Sequence, residues 1–169
     1  MLGYYALYSE SMAPVRATED SACFDLFCFL PSGKNITCFS DKNEKYEKTS
    51  EGYFTLDPGH RAKISAGISF DIPRDCSVRI HIRSGVSLKK GLTLANNEGV
   101  IDSDYVDEVF SIVTNTSSVP VRIGHGERLT QAEIVKTLDV RIAQIFKIPD
   151  KKGTRAGGFG STGGANLTP

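Results

Sequence analysis

What this sequence lacks most plainly is charge of one sign. Its 20 lysines and arginines are matched by 20 aspartates and glutamates, so the formal net charge at neutral pH is zero. With no broad basic field, nucleic-acid binding as the main task is disfavoured, and no polybasic or acidic tail marks an electrostatic partner. No apolar run approaches the ~20 residues of a membrane-spanning helix, so no membrane role is expected. The opening Met1-Leu2-Gly3-Tyr4-Tyr5 has no basic region followed by an apolar stretch, which predicts an intracellular chain that is not secreted. Cysteine is sparse too: Cys23, Cys28, Cys38 and Cys76 form no Cys-x-x-Cys pair, and His60, His81 and His125 are scattered. A zinc site is not indicated, and in a reducing compartment the cysteines are expected to be free thiols.

What is present is strand signal. At 169 residues the chain can bury a real core as one domain. Residues 24–30 are apolar and aromatic, 62–72 alternate, and 78–83 alternate strictly, placing Arg79, His81 and Arg83 on one face. Residues 119–123 and 140–148 look similar. Short strands separated by Gly, Pro, Asn and Asp predict an all-β barrel or sandwich. One short helix is expected, capped by Ser84, running over Val86 to Lys90 and ended by Gly91. The polar, Lys- and Glu-rich stretch 31–50 is read as a surface excursion between strands. The reading is a single domain over 1–150, then a mobile glycine-rich arm over 151–169.

Four stretches can carry chemistry. Gly99-Val100-Ile101, then Asp102-Ser103-Asp104, Tyr105 and a second apolar run over 109–113 read as a β-hairpin with an acidic turn. That form fixes a carboxylate and a phenol on a rigid element, with backbone groups at its mouth to read a flat polar ring. At Arg83-Ser84-Gly85 a guanidinium meets free N–H groups of a helix start, an arrangement suited to phosphate. The run Gly157 to Gly163 offers unblocked N–H groups and two hydroxyls, with Arg155 nearby and Phe159 able to stack on a base. A flexible terminus fits the same string. Asp25 interrupts the apolar run Cys23-Phe24-Asp25-Leu26-Phe27. It is either a buried carboxylate bonded to backbone or arginine, or the holder of a water on a magnesium ion.

Taken in order, these pieces resemble the five motifs of the trimeric dUTP diphosphatase (dUTPase) family, over roughly residues 13 to 164. Ala22 to Leu26 is similar to the first motif, and Arg83 to Ser87 with Lys90-Gly91 to the second. Asn96 with Gly99 to Tyr105 is similar to the third, and Gly158 to Gly163 to the fifth. For the fourth, Gly126 to Gln131 has the family's spacing from the third, and Arg141 to Gln144 has its letters. Gln131 is preferred, with 141–144 read as a later core strand. Cys23 and Asp107 stand where the family commonly has glycine, and Arg155 lies one residue nearer Phe159 than usual.

The resemblance implies a distorted jelly-roll (β-clip) barrel assembled as a homotrimer with shared sites, hydrolysing dUTP to dUMP and pyrophosphate with Mg2+. It implies Asp102 as general base and Asp25 as a metal contact through water. Arg83, Ser84, Gly85, Arg155, Gly160, Ser161 and Thr162 are implied on the phosphates, and Gln131 as a further substrate-binding residue. Asn96, Gly99, Val100 and Ile101 are implied on uracil, Tyr105 under the deoxyribose and Phe159 stacked on the base. The rival readings are a dCTP deaminase of the same superfamily and a non-catalytic trimeric binding module.

Overall fold

A computed structural model describes residues 1–154. Residues Met1–Asp139 form one compact unit, and a second begins at Val140. The first unit carries fourteen strands and one helix. In order they are β1 Gly3–Ala6, β2 Val15–Arg16, β3 Phe24–Phe27, β4 Asn35–Phe39, β5 Lys45–Thr49, β6 Tyr53–Leu56 and β7 Arg61–Ser65. Then follow β8 Ile68–Asp71, β9 Cys76–Ile82, α1 Ser84–Lys90, β10 Leu92–Leu94 and β11 Gly99–Ile101. The last three are β12 Phe110–Asn115, β13 Val121–Gly124 and β14 Arg128–Lys136. They build two five-stranded sheets, ordered β10-β12-β7-β4-β5 and β11-β9-β14-β3-β2, and two ribbons, β1-β8 and β13-β6. Every pairing is antiparallel.

One hydrophobic cluster joins the two large sheets: Ile36, Ile64, Leu94 and Val113 from the first meet Leu26, Val78, Ile80 and Leu129 from the second. Each such side chain contributes about 1.5–3 kcal/mol by leaving water. The result is the expected all-β, distorted jelly-roll sandwich. In β9, Val78 and Ile80 are buried whereas Arg79 and His81 are half-buried on the opposite face, as strict alternation requires.

Five local expectations change. The run over 62–72 is two strands, because Gly67 (φ +69°) turns the chain between β7 and β8. A Cβ there would come 2.7 Å from the Phe29 ring, so only glycine fits without displacement. The stretch 31–50 is not a loop but the hairpin β4-β5 on the edge of a sheet. Its lysines and glutamates mask a strand whose alternate residues Ile36 and Cys38 are 1% and 0% exposed. Helix α1 begins at Ser84, but its cap is Arg83 without a side-chain bond, so Ser84 is the first helical residue. Gly91 ends the helix in the left-handed region as expected.

The stretch 140–148 forms no strand: Val140, Ile142, Ile145, Phe146 and Ile148 are all exposed. Alternation makes a strand only where an edge is available for pairing, and among the described residues of that unit there is none. The fifth change lies between β11 and β12, which do not pair with each other.

All four cysteines are free. Cys28 and Cys38 are 2% and 0% exposed, and burial pushes both thiols up from their ordinary range. Cys23 and Cys76 are half-buried. Burial raises those two thiols as well, so what separates the pairs is access: a reagent reaches Cys23 and Cys76 but not Cys28 or Cys38. Native protein at pH 8 is therefore expected to release colour from an aromatic disulfide reagent at two thiols, and from all four in urea. Rapid reaction of four in the native state would contradict the burial of Cys28 and Cys38.

Among the described residues no helix is long and apolar enough to cross a membrane.

Candidate active site

The acidic stretch does not close a two-stranded hairpin. β11 pairs with β9, Ile101 opposite Val78, while β12 pairs with β10 and β7. The loop from Asp102 to Val109 therefore carries the chain from one sheet to the other. It does so with no non-glycine residue at positive φ, the only two in the described chain being Asn43 and Asn97. Asp107 accordingly needs no glycine-like backbone.

Where the sheets part, a cavity of about 490 Å³ opens. Of the residues singled out in the sequence, Asn96, Gly99, Val100, Ile101, Asp102 and Tyr105 line it together. Its other wall comes from β4, β7 and β12, through Phe39, Arg61, Lys63 and Phe110. The Lys63 ammonium lies 3.8 Å from the Phe110 ring centre, a cation–π contact. Lys63 and Phe39 were not singled out in the sequence, because an alternating strand gives no sign of which pocket its outward side meets.

Tyr105 is 40% exposed, and its phenol donates to the Glu108 carbonyl at 2.9 Å. Burial first, then the charges of Asp107 and Glu108, push this phenol's pKa up, so it remains a donor. Asp102 is exposed at the cavity wall, and its carbonyl accepts from the Tyr105 N–H at 3.1 Å.

A second cluster forms on the sheet β11-β9-β14-β3-β2. Asp25, 5% exposed, accepts from Arg83 Nε at 2.9 Å and from Arg128 at 3.2 Å. The bond to arginine expected under one reading of Asp25 is present. Arg83 also donates to the Arg128 carbonyl at 3.1 Å. One carboxylate against two guanidiniums leaves a surplus positive charge, and the two arginine side chains are 32% and 49% exposed. Gln131 stands opposite Asp25 on one side and His81 on the other. Gln144 is exposed in a stretch without a strand. Arg128 was missed in the sequence although it lies inside the fourth motif; its tie to Asp25 spans 103 positions. Ser84 and Gly85 are exposed at the start of α1, where the first N–H groups of a helix have no partner within it. Arg155, Phe159, Gly160, Ser161 and Thr162 lie outside the described residues.

The two clusters are not one site within a protomer. None of Asp25, Arg83, Ser84, Gly85 or Gln131 lines the cavity. Asp102 follows the residue opposite Val78, whereas Arg83 lies beyond Val78 toward the other end of β9. Six strand positions separate them, about 20 Å at ~3.3 Å per residue.

Fold and geometry define a jelly-roll protein with an arch-mouthed cleft at one end of a sheet and a carboxylate-clamped arginine pair at the other. The family model for dUTPase matches residues 46–163, and the chain belongs to the dUTPase family. The deoxyuridine 5'-triphosphate nucleotidohydrolase of Nautilia profundicola is 38% identical over 157 residues, covering 93% of this chain and 94% of that protein. That of Hydrogenobaculum sp. is 32% identical over the same shares. Among solved structures, the dUTPase of Staphylococcus bacteriophage 80alpha with dUPNHPP superposes with a TM-score of 0.76 at 21% identity. It covers 96% of this chain and 98% of its own.

Proposed function

We propose that this chain hydrolyses dUTP to dUMP and pyrophosphate. The observation that carries the proposal is the cleft itself: a carboxylate, a phenol and arch backbone converge on a space of about 490 Å³, suited to a small ligand. The homologues' activity and the bound nucleotide analogue of the phage enzyme support it.

Asn96 and the backbone from Gly99 to Ile101 read the uracil edge. A thymine methyl collides with the arch, and a cytosine amino group meets a donor. Tyr105 packs under the deoxyribose and leaves no room for a 2′-hydroxyl. Asp102 accepts a proton from water as its oxygen bonds to the α-phosphorus. The bond from that phosphorus to the bridging oxygen breaks, and pyrophosphate leaves. Arg83, Arg128 and Gln131, with the N–H groups of Ser84 and Gly85, take up charge on the phosphates. On the sequence resemblance, Arg155, Gly160, Ser161 and Thr162 add to that grip while Phe159 stacks on the base.

Magnesium bound with the triphosphate supplies further charge neutralisation. Asp25 fits a contact to it through water: each carboxylate oxygen has one arginine bond and keeps a second lone-pair direction. Among the described residues no cluster of three His, Cys, Asp or Glu forms a protein-built cage. An ion that keeps its waters and takes few carboxylates needs none. A structural Mg(II) ion is described for a mutant dUTPase of S. aureus phage phi11.

The separation of Asp102 from Arg83 supports a site completed by a neighbouring copy, since no α-phosphorus touches both across about 20 Å. The exposed apolar side chains over 140–148 support assembly as well, and the proposal is a homotrimer.

The test is a panel of dUTP, dCTP, dTTP and UTP with and without magnesium. Pyrophosphate release from dUTP is expected to depend on magnesium and to exceed that from the others by about 100-fold. Ammonia release from dCTP would point instead to a deaminase. Tight dUTP binding without turnover would leave a binding module.

A further inference from the structure

The loop from Asp102 to Val109 must present two groups to the cleft, yet it contains no glycine and no helix or strand. Its far end is held by Val109, 1% exposed, whose N–H donates to the Ile68 carbonyl at 2.8 Å and whose carbonyl accepts from Ala66 at 2.9 Å. The side-chain anchor beside it is Glu108, only 17% exposed. A carboxylate there loses hydration and needs partners. It has two. The Ser65 hydroxyl, in a residue 4% exposed at the end of β7, donates to Glu108 Oε1. The Lys34 ammonium lies 3.5 Å from the same oxygen.

Lys34 is itself held. It donates to the Tyr8 hydroxyl at 3.2 Å and sits 4.5 Å and 5.1 Å from the ring centres of Tyr8 and Phe29. Those rings stack at 4.4 Å. On the other side, the Glu108 carbonyl accepts the Tyr105 phenol. A continuous series of bonds thus runs from Lys34 and Ser65 through Glu108 to Tyr105. A loop that needed only to be covered would be served by an apolar residue at 108, because a half-buried ion pair adds little net stability.

We propose that Glu108 is a positioning residue: clamped by Ser65 and Lys34, it fixes where Tyr105 stands and so how strictly a ribose is refused. This rests on the reading of Tyr105 as the deoxyribose platform. It also gives the 31–50 segment a role at the site, through Lys34.

The experiment compares full-length Glu108→Ala, Glu108→Gln and Lys34→Met with the natural protein. Two quantities are read: kcat/KM for dUTP and UTP, and amide hydrogen exchange of the 102–109 peptide without nucleotide. Glu108→Ala is expected to lower the dUTP-to-UTP ratio about tenfold, mainly through KM, and to speed exchange of that peptide. Glu108→Gln, whose amide oxygen still accepts from Ser65, is expected to stay within about threefold of the natural ratio. Lys34→Met is expected to fall between them, and carries the comparison if Glu108→Ala does not fold. An unchanged ratio and unchanged exchange in folded variants of an active enzyme would overturn the clamp alone, as would Glu108→Gln behaving like Glu108→Ala. Failure of the natural protein to hydrolyse dUTP would overturn the function, and with it the specificity role.

Discussion

Replacing Asp102 with asparagine is expected to cut kcat on dUTP by between about a hundredfold and ten-thousandfold while KM moves little. The substitution keeps the side chain's size and removes only its capacity to take a proton from water. Asp102 is exposed at the cleft wall and its side chain supports no part of the core, so the fold should survive unchanged. Pyrophosphate release in single turnover gives the rate, and thermal unfolding gives the control. A variant retaining more than about a tenth of natural turnover would remove Asp102 from the role of base.

The second large effect belongs to Asp25→Ala. Removing a carboxylate that is 5% exposed strands two guanidiniums that now lean on it. Breaking a buried pair by deleting one partner costs roughly 3–5 kcal/mol, and the lower figure applies because Arg83 and Arg128 both reach solvent. Urea unfolding should show that loss as an earlier midpoint with an unchanged slope. Affinity for the triphosphate should fall too, as Arg83 and Arg128 lose their fixed spacing. A midpoint within experimental error of the natural protein's would mean that Asp25 does not hold the pair.

Much of this could be seen in the sequence because it was local. The strict alternation at 78–83 gave β9 and its polar face, and Gly91 gave the end of α1. The run from Gly99 to Tyr105 marked one wall of the cleft, since consecutive residues on one turn must be neighbours. What could not be seen was pairing at a distance. An arch and a hairpin share the same letters; whether β11 meets β12 or β9 depends on strands far from both. Ile36 and Cys38 looked like incidental apolar residues in a charged stretch until β7 lay beside them. The same reason hid Arg128 and Glu108, whose partners are 103 and 43 positions away. Conversely, 140–148 has a strand's pattern without a strand's structure, because a pattern states what a segment can cover and not whether a surface is present.

The hairpin formed by 31–50 also sets the character of its sheet's border. Among the described residues its outer strand β5 is the border of a five-stranded sheet, and a border strand's outward backbone groups invite another chain to extend it. That border reads Lys45-Tyr46-Glu47-Lys48-Thr49, with Lys45, Glu47 and Thr49 facing water and Lys48 tied inward to Asp57 at 3.3 Å. A stranger docking along it must strip water from an ammonium, a carboxylate and a hydroxyl at alternate positions. The polarity that disguised this segment as a loop thereby guards the sheet against fibrous self-stacking.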